Sequence, residues 1–407
     1  MKQSQMNSLF KKYPVPMAII VLLAIVAFVV VPQIQDALTP ATATPLPNAA
    51  SVTPGSATLM PGAVTLAPAT GSLPAWLTVY FTDPNPPDNL GHGIDQYVQP
   101  VLDAAAQTID VTSFDLNLPN LVNALANASK RGVKVRVVYD GTNGSLDVNN
   151  AASGNKPFDA IQTLKNANVG LVNGGRSSGL MHDKMIIVDS KILFMGSWNL
   201  SYNDSYRNNN NLLKITDPRL IANYQAKFNE LFVDKHFGTH ATVKIPNPSL
   251  VIDGVQVENY MAPEDNVMAK LVQSVQGAKK SVHYMIFTYT HADLSAAMIA
   301  SSKAGVDVEG VIEDRGASEG ALPALFCAKL PVKTDGNKYT MHHKVIIIDG
   351  QTVITGSFNF TKSADTENDD NVLVIHSAAV AALYEQEFQK IYGAGNVPAA
   401  ANVKCTK

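Results

Sequence analysis

Cysteine is nearly absent from this 407-residue chain. Only Cys327 and Cys405 occur, with no CxxC pair and no Cys/His ligand spacing. A structural zinc site is therefore not expected. The plainer expectation is a buried Cys327 and a loose tail thiol at Cys405. A single disulfide is the alternative if the domain is exported. Excess positive charge is also missing. Lys+Arg number 31 and Asp+Glu 34. Setting aside Lys2, Lys11, Lys12 and Asp36, residues 83–407 carry 28 basic against 33 acidic groups, a net charge of −5. Such a domain does not grip nucleic acid through its overall field. Residues 37–72 lack charge altogether and contain six prolines. They also lack the large apolar side chains that offset chain entropy, and are expected to form an extended linker over residues 37–73.

What is present begins with a long apolar run. Lys11 and Lys12 precede Val15–Val31, which only Pro16 interrupts. At helical rise its span is about 26 Å, near the lower limit for a bilayer. Residues 1–36 are expected to anchor the chain with its amino terminus cytoplasmic and its domain outside. Cleavage as a signal near Ala41-Thr42-Ala43 is the competing expectation.

The remainder is a duplication. Thr108–Phe114 reads as a strand, Leu118–Lys130 as a helix, and Arg131–Tyr139 as a helix stop followed by a strand. Ser281–Thr288, Ala292–Lys303 and Ala304–Ile312 repeat that order. Alternating elements predict an α/β fold of two similar repeats, residues 74–245 and 246–395, with a tail at 396–407. Each repeat is expected to be a mixed sheet flanked by helices. The two would pack as an intrachain pseudo-dimer. The first repeat has the longer loop, placed within Gly141–Phe158.

Each repeat also holds the pattern HxKx4Dx6GSxN. One copy is His182, Lys184, Asp189, Gly196, Ser197 and Asn199; the other is His342, Lys344, Asp349, Gly356, Ser357 and Asn359. Strand alternation puts His and Lys of each copy on one face. Asp349-Gly350 is a hairpin turn signal, so the GSxN segment returns beside the HxK segment. Lysines neutralise a phosphodiester and Asn amides donate to its oxygens. Histidine attacks or carries protons near neutral pH.

These paired motifs resemble the HKD motifs of the phospholipase D superfamily, over about residues 77–393. Gly356–Lys362 looks especially like the small bacterial nuclease-type members. The resemblance implies one active site between the repeats, without metal or cofactor, working through a phosphohistidine. It implies catalytic roles for His182, Lys184, Asn199, His342, Lys344 and Asn359. It also implies an orienting residue at Asn210 in one repeat and Asp370 in the other. Asp370 is expected to hold His342 protonated as the general acid, and Asn210 to orient His182, the nucleophile. Ser197 and Ser357 are expected to bind or orient the phosphate. Asp189 and Asp349 are expected to be structural, and His343 to lie behind the site. The expected membrane tether and the net negative charge favour a phospholipid headgroup as substrate, giving phosphatidate. An extracytoplasmic nuclease is the runner-up and a non-catalytic phosphate binder a third reading. A monomer is expected.

Overall fold

The computed structural model describes residues 72–405. The expected anchor, and the linker up to residue 71, lie outside the described residues. Among the described residues no helix is long and apolar enough to cross a membrane.

The first repeat runs β1 (Leu77–Phe81), α1 (Asp95–Asp103), β2 (Thr108–Ser113), α2 (Pro119–Lys130), β3 (Lys134–Tyr139), a small ribbon of β4 (Asp147–Val148) and β5 (Phe158–Asp159), α3 (Ala160–Asn166), β6 (Gly170–Asn173), β7 (Met185–Val188), β8 (Ile192–Gly196), α4 (Tyr202–Tyr206), β9 (Asn211–Ile215) and α5 (Pro218–Asn229). Its seven-stranded sheet has the order β1-β9-β8-β7-β2-β3-β6. The second repeat runs β10 (Ser249–Ile252), β11 (Val255–Ala262), α6 (Val267–Gly277), β12 (Ser281–Ile286), α7 (Ala292–Lys303), β13 (Asp307–Ile312), α8 (Leu322–Cys327), β14 (Val332–Thr334), β15 (Lys344–Ile348), β16 (Thr352–Gly356), α9 (Lys362–Thr366), β17 (Asp370–His376) and α10 (Ala378–Ala394). Its eight-stranded sheet has the order β10-β11-β17-β16-β15-β12-β13-β14.

Local chemistry explains the matching halves. β2 pairs with β3 in parallel, as β12 does with β13, so each pair needs a crossover helix. After α2 and α7 the chain turns through Gly132 and Gly305, whose φ values of 94° and 90° favour glycine. Tight turns over residues 189–191 and 349–351 join β7 to β8 and β15 to β16. Asp349 and Gly350 take φ of 57° and 61°, and Asp189 and Ser190 adopt 51° and 52° without a glycine. The long loop of the first repeat is folded, through the β4–β5 ribbon.

Both faces of each central strand are buried. Ile186 and Val188 of β7 join a core against α1 and α2, while Met185 and Ile187 point the other way. There they meet Val345, Ile347, Val353 and Leu373 of the second sheet, with Tyr224 and Phe228 of α5 and Tyr384 and Phe388 of α10. The two repeats thus share one core. Each such side chain, fully buried, stabilises the fold by about 1.5–3 kcal/mol.

Two expectations change. His182 and His342 do not lie within the strands; β7 begins at Met185 and β15 at Lys344. The preceding residues cross to the other repeat, where His182 N donates to Asp369 O and His342 N to Asn209 O. The cysteines are also paired. Cys327, at the end of α8, is bonded to Cys405, with Cα atoms 5.6 Å apart. The tail is held beside β14 by mutual backbone hydrogen bonds of Thr334 and Asn396. That contact brings the last cysteine back to α8, which sequence distance alone did not indicate.

Candidate active site

The crossing of the two HxK segments assembles the site. His182, Lys184, His342 and Lys344 are each at most 7% exposed. Each lysine folds back on its own segment: Lys184 Nζ donates to His182 O at 2.7 Å, and Lys344 Nζ to His342 O at 2.9 Å. Phe114, just beyond β2, turns its ring edgewise to His182 at 5.3 Å, and Phe287, just beyond β12, does the same to His342 at 4.7 Å. The same rings lie under the lysines, at 5.7 Å from Lys184 and 4.7 Å from Lys344. The larger surface depressions lie elsewhere, such as the ≈ 560 Å³ one bounded by Asn117, Ser145, Tyr202 and Arg207.

The partners of the histidines overturn one expectation. Asp370 Oδ1 lies 2.7 Å from His182 Nδ1, not beside His342. Asn210 Oδ1 lies 2.9 Å from His342 Nδ1, not beside His182. The HxK segments cross between repeats, whereas Asn210 directly precedes β9 and Asp370 opens β17 within their own, so each meets the other repeat's histidine. The serines support these partners. Ser357 Oγ donates to Asp370 Oδ1 at 2.6 Å, and Ser197 Oγ to Asn210 Oδ1 at 2.8 Å. Each hydroxyl has one proton and has spent it here, so both serines orient rather than donate to phosphate. Gly196 and Gly356 precede them at φ of 146° and 154°; a Cβ on either would collide with the carbonyl of Asn211 or Asn371.

The two asparagines differ. Asn199 Nδ2 donates to Asp204 Oδ2 at 2.6 Å, and its Oδ1 lies 3.3 Å from the Asp115 backbone N–H. Asn199 is thus held by protein groups, against the expectation of an amide free for phosphate. Asn359 Oδ1 has no partner among the described residues, and Ala364, where the first repeat has Asp204, offers the Asn359 Nδ2 no equivalent carboxylate. Asp189 and Asp349 lie outside the cluster. Each carboxylate accepts three backbone N–H groups: Ala106, Gln107 and Thr108 in one repeat, Lys279, Lys280 and Ser281 in the other. They pin the β7–β8 and β15–β16 turns to the starts of β2 and β12. His343 is fully buried, with Asn211 and Glu387 as neighbours. Asp369 is taken up by Arg176, Lys227 and the Gly238 N–H.

The electrostatics follow from crowding. Burial pushes the His342 pKa well below its ordinary value, and Lys344, Lys184, His182 and His343 push it further down. Burial likewise lowers His182, with Lys184, while Asp370 opposes. Burial also drives Lys344 well down, helped by Lys184 and opposed by Asp204, Asp370 and Glu313. Four basic groups so close repel one another, and an anion among them relieves that repulsion. The arrangement suits a phosphoryl group whose negative charge grows during reaction.

Residues 98–232 and 271–392 match the family described as cardiolipin synthase, PLD-like domain. The chain belongs to the phospholipase D superfamily. Over 130 residues it is 28% identical to the mitochondrial cardiolipin hydrolase of Xenopus laevis, a match covering 31% of this chain and 62% of that protein. Over 135 residues it is 32% identical to phospholipase D of Rickettsia bellii, covering 33% and 67%. The chain therefore spans somewhat less than two thirds of the cardiolipin hydrolase. Phosphatidylserine synthase of Haemophilus influenzae shares the fold, with a TM-score of 0.58 at 14% identity over 75% of this chain and 85% of that one.

Several residues of this site were not legible in the sequence motifs. Asp140 Oδ2 and Glu313 Oε2 accept the backbone N–H of Met181 and Met341, setting the start of each HxK segment. They end equivalent strands in the two repeats, as Phe114 and Phe287 follow equivalent strands, so the duplication held a signal for all four. Asp204 had none, since the second repeat has alanine there. Asp115, beside Asn199, is a further, half-buried acid, its pKa pushed up to about 6 by desolvation, with Ser145 opposing and Asp204 assisting.

Proposed function

We propose that the protein is a phosphodiesterase that cleaves phospholipid headgroups through a phosphohistidine on His182. One observation carries this reading: both HxK pairs lie in one buried cluster, with His182 held by the Asp370 carboxylate. Asp370 accepts at Nδ1, which leaves Nε2 of His182 with its lone pair for attack. When Nε2 bonds to phosphorus the ring becomes cationic, and the carboxylate stabilises that charge. This replaces the expected reason for the assignment while keeping His182 as nucleophile. His342, with Asn210 at Nδ1, gives its Nε2 proton to the departing alcohol oxygen as the phosphorus–oxygen bond breaks. It then takes a proton from water, whose oxygen attacks phosphorus and breaks the phosphorus–nitrogen bond. Lys184, Lys344 and Asn359 Nδ2 donate to the non-bridging oxygens and stabilise their charge.

The lipid reading is supported by the names of the relatives and by the net negative charge of the domain. An extracytoplasmic location is supported by the Cys327–Cys405 bridge, since such bonds persist in oxidising compartments. The Lys11-Lys12 pair before Val15–Val31 supports a membrane anchor.

The test offers the domain lipid vesicles containing phosphatidylcholine or cardiolipin, single-stranded DNA, and a nitrophenyl phosphodiester. Headgroup release that vanishes in His182→Ala is expected. With His342→Ala, the activated diester should give a burst equal to the enzyme present, with the phosphoryl group on His182. Cleavage of DNA alone would move the substrate to nucleic acid. An adduct on His342 in His182→Ala would reverse the two roles.

A further inference from the structure

The two histidines have unequal support. His182 Nδ1 meets a carboxylate, Asp370, at 2.7 Å, whereas His342 Nδ1 meets only the Asn210 amide at 2.9 Å. A second carboxylate nevertheless stands beside His342. Asp204 Oδ2 lies 3.5 Å from its Nδ1 and is 2% exposed. That oxygen also accepts the backbone N–H of Asn199 at 2.9 Å and its Nδ2 at 2.6 Å, while Oδ1 accepts from Asn208 Nδ2 at 2.6 Å. Asn210 is tied to the same residue, since its Nδ2 donates to Asp204 O at 3.2 Å. The repeats are complementary here. Where the second has Ala364 and Asp370, the first has Asp204 and Asn210.

We propose that Asp204 is the second carboxylate of the site, a positioning residue that acts through His342 and supports its positive charge during proton transfer. The first repeat has moved its acid six residues back, onto α4, and kept it in reach of the same imidazole. This inference rests on the phosphodiesterase reading for its kinetic consequence, but not for its electrostatic one. Two arguments support it. Asp204 faces a ring surrounded by basic groups: Lys344 and His343 on its own segment, Lys184 and His182 on the crossing one. The remaining acids, Asp370, Glu313 and Asp115, are engaged by His182, by Arg315 and Met341 N, and by Ser145 N respectively. In addition, the three N–H groups on Asp204 fix its carboxylate, so its charge cannot swing away from His342.

The experiment compares wild type, Asp204→Asn, Asn210→Asp and the double variant Asp204→Asn/Asn210→Asp. The first readout is the titration of each histidine by NMR of the 13C-labelled ring, with His342 assigned from a His342→Gln sample. Asp204→Asn should lower the His342 pKa, leave His182 nearly in place, and be rescued in the double variant, where the carboxylate sits as in the second repeat. If Asp204→Asn does not fold, the same difference is read between Asn210→Asp and the double variant. An unchanged His342 titration in either comparison overturns the proposal. The second readout is kinetic. Loss of a supported general acid should slow cleavage of a poor leaving group about 10²-fold and bring its alkaline limb to lower pH, with a much smaller effect on the nitrophenyl diester. Equal losses on both substrates with an unmoved pH profile would reduce Asp204 to a structural part and overturn the proposal. If wild type cleaves no diester, the phosphodiesterase reading fails, while the NMR comparison still decides the role of Asp204.

Discussion

His182 and Asp370 stand 188 positions apart in the chain, yet Nδ1 of one lies 2.7 Å from Oδ1 of the other, and both are buried. Asp370 is pushed up by burial, but His182, Lys184 and Ser357 outweigh this and hold its carboxyl below the usual range. The dyad is charged on its acid side at neutral pH. Asp370→Asn should therefore lower kcat on a phosphodiester by at least about 10²-fold with little change in KM, because the lost charge matters only as the imidazole becomes cationic. Steady-state kinetics on the nitrophenyl diester checks this. A change confined to KM would count against the dyad.

The depressed histidines make a statement about pH. In the folded chain His182 and His342 bind protons less readily than in the unfolded chain, where the value is about 6.5. The unfolded state then takes up more protons as pH falls through about 6.5, so these two groups cost stability on the acid side and nothing well above it. Buried Asp183, Glu264 and Glu313, each pushed up to about 7 chiefly by burial, act in the opposite sense over the same range. The histidine contribution is isolated by a difference. His342→Gln should gain stability relative to wild type as pH is lowered from 7.5 to 5.5, read from urea denaturation at each pH. A constant difference would show that His342 is not depressed.

Anion binding should oppose the crowding of Lys184, Lys344, His182 and His342. Orthovanadate or phosphate at about 100 times its dissociation constant should stabilise the fold by about 2.7 kcal/mol and raise Tm. The gain should shrink sharply in Lys184→Met or Lys344→Met. An equal gain in these variants would place the anion elsewhere.

In the proposed reaction, two buried lysines take the charge-neutralising part that a divalent cation takes in metal-dependent phosphodiesterases. Treatment with EDTA should leave the hydrolysis rate nearly unchanged, whereas Lys344→Met should lower kcat by about 10²–10³-fold. Activity lost to EDTA and restored by zinc or magnesium would overturn this account of the lysines.

The Cys327–Cys405 bridge closes a separation of 78 residues and ties the tail to the second repeat. Bridges of this kind are worth about 2–4 kcal/mol. Cys405→Ser should lower Tm by several degrees, and a reductant should lower wild type to the same value without affecting the variant. Identical melting of the two proteins before reduction would show that the tail contributes nothing.

Much of the architecture is local and therefore legible along the chain. The α7 segment Ala292–Lys303 follows from its composition and the glycine after it; the paired strand-helix-strand units follow from alternation and from Gly132 and Gly305. The HxK and GSxN residues are readable because duplication repeats them at fixed spacing. Alternation was less reliable at the motif itself. Backbone hydrogen bonds to Asp369 and Asn209 draw His182 and His342 out of their sheets, and no local pattern encodes a partner so distant.

That two α/β repeats each bring one His, one Lys and one GSxN turn is written locally in the chain, because those features depend on neighbours a few residues away. Which acid meets which histidine is set by the docking of the repeats. Aligning the repeats pairs each histidine with the orienting residue of its own half, but the HxK segments cross at the interface, and each imidazole therefore packs against the other half. The same packing brings Asp204 to His342, from a position where the second repeat has only a methyl group. Contacts across a pseudo-twofold interface depend on how two surfaces dock, and docking is set by the whole shared core rather than by any stretch of chain.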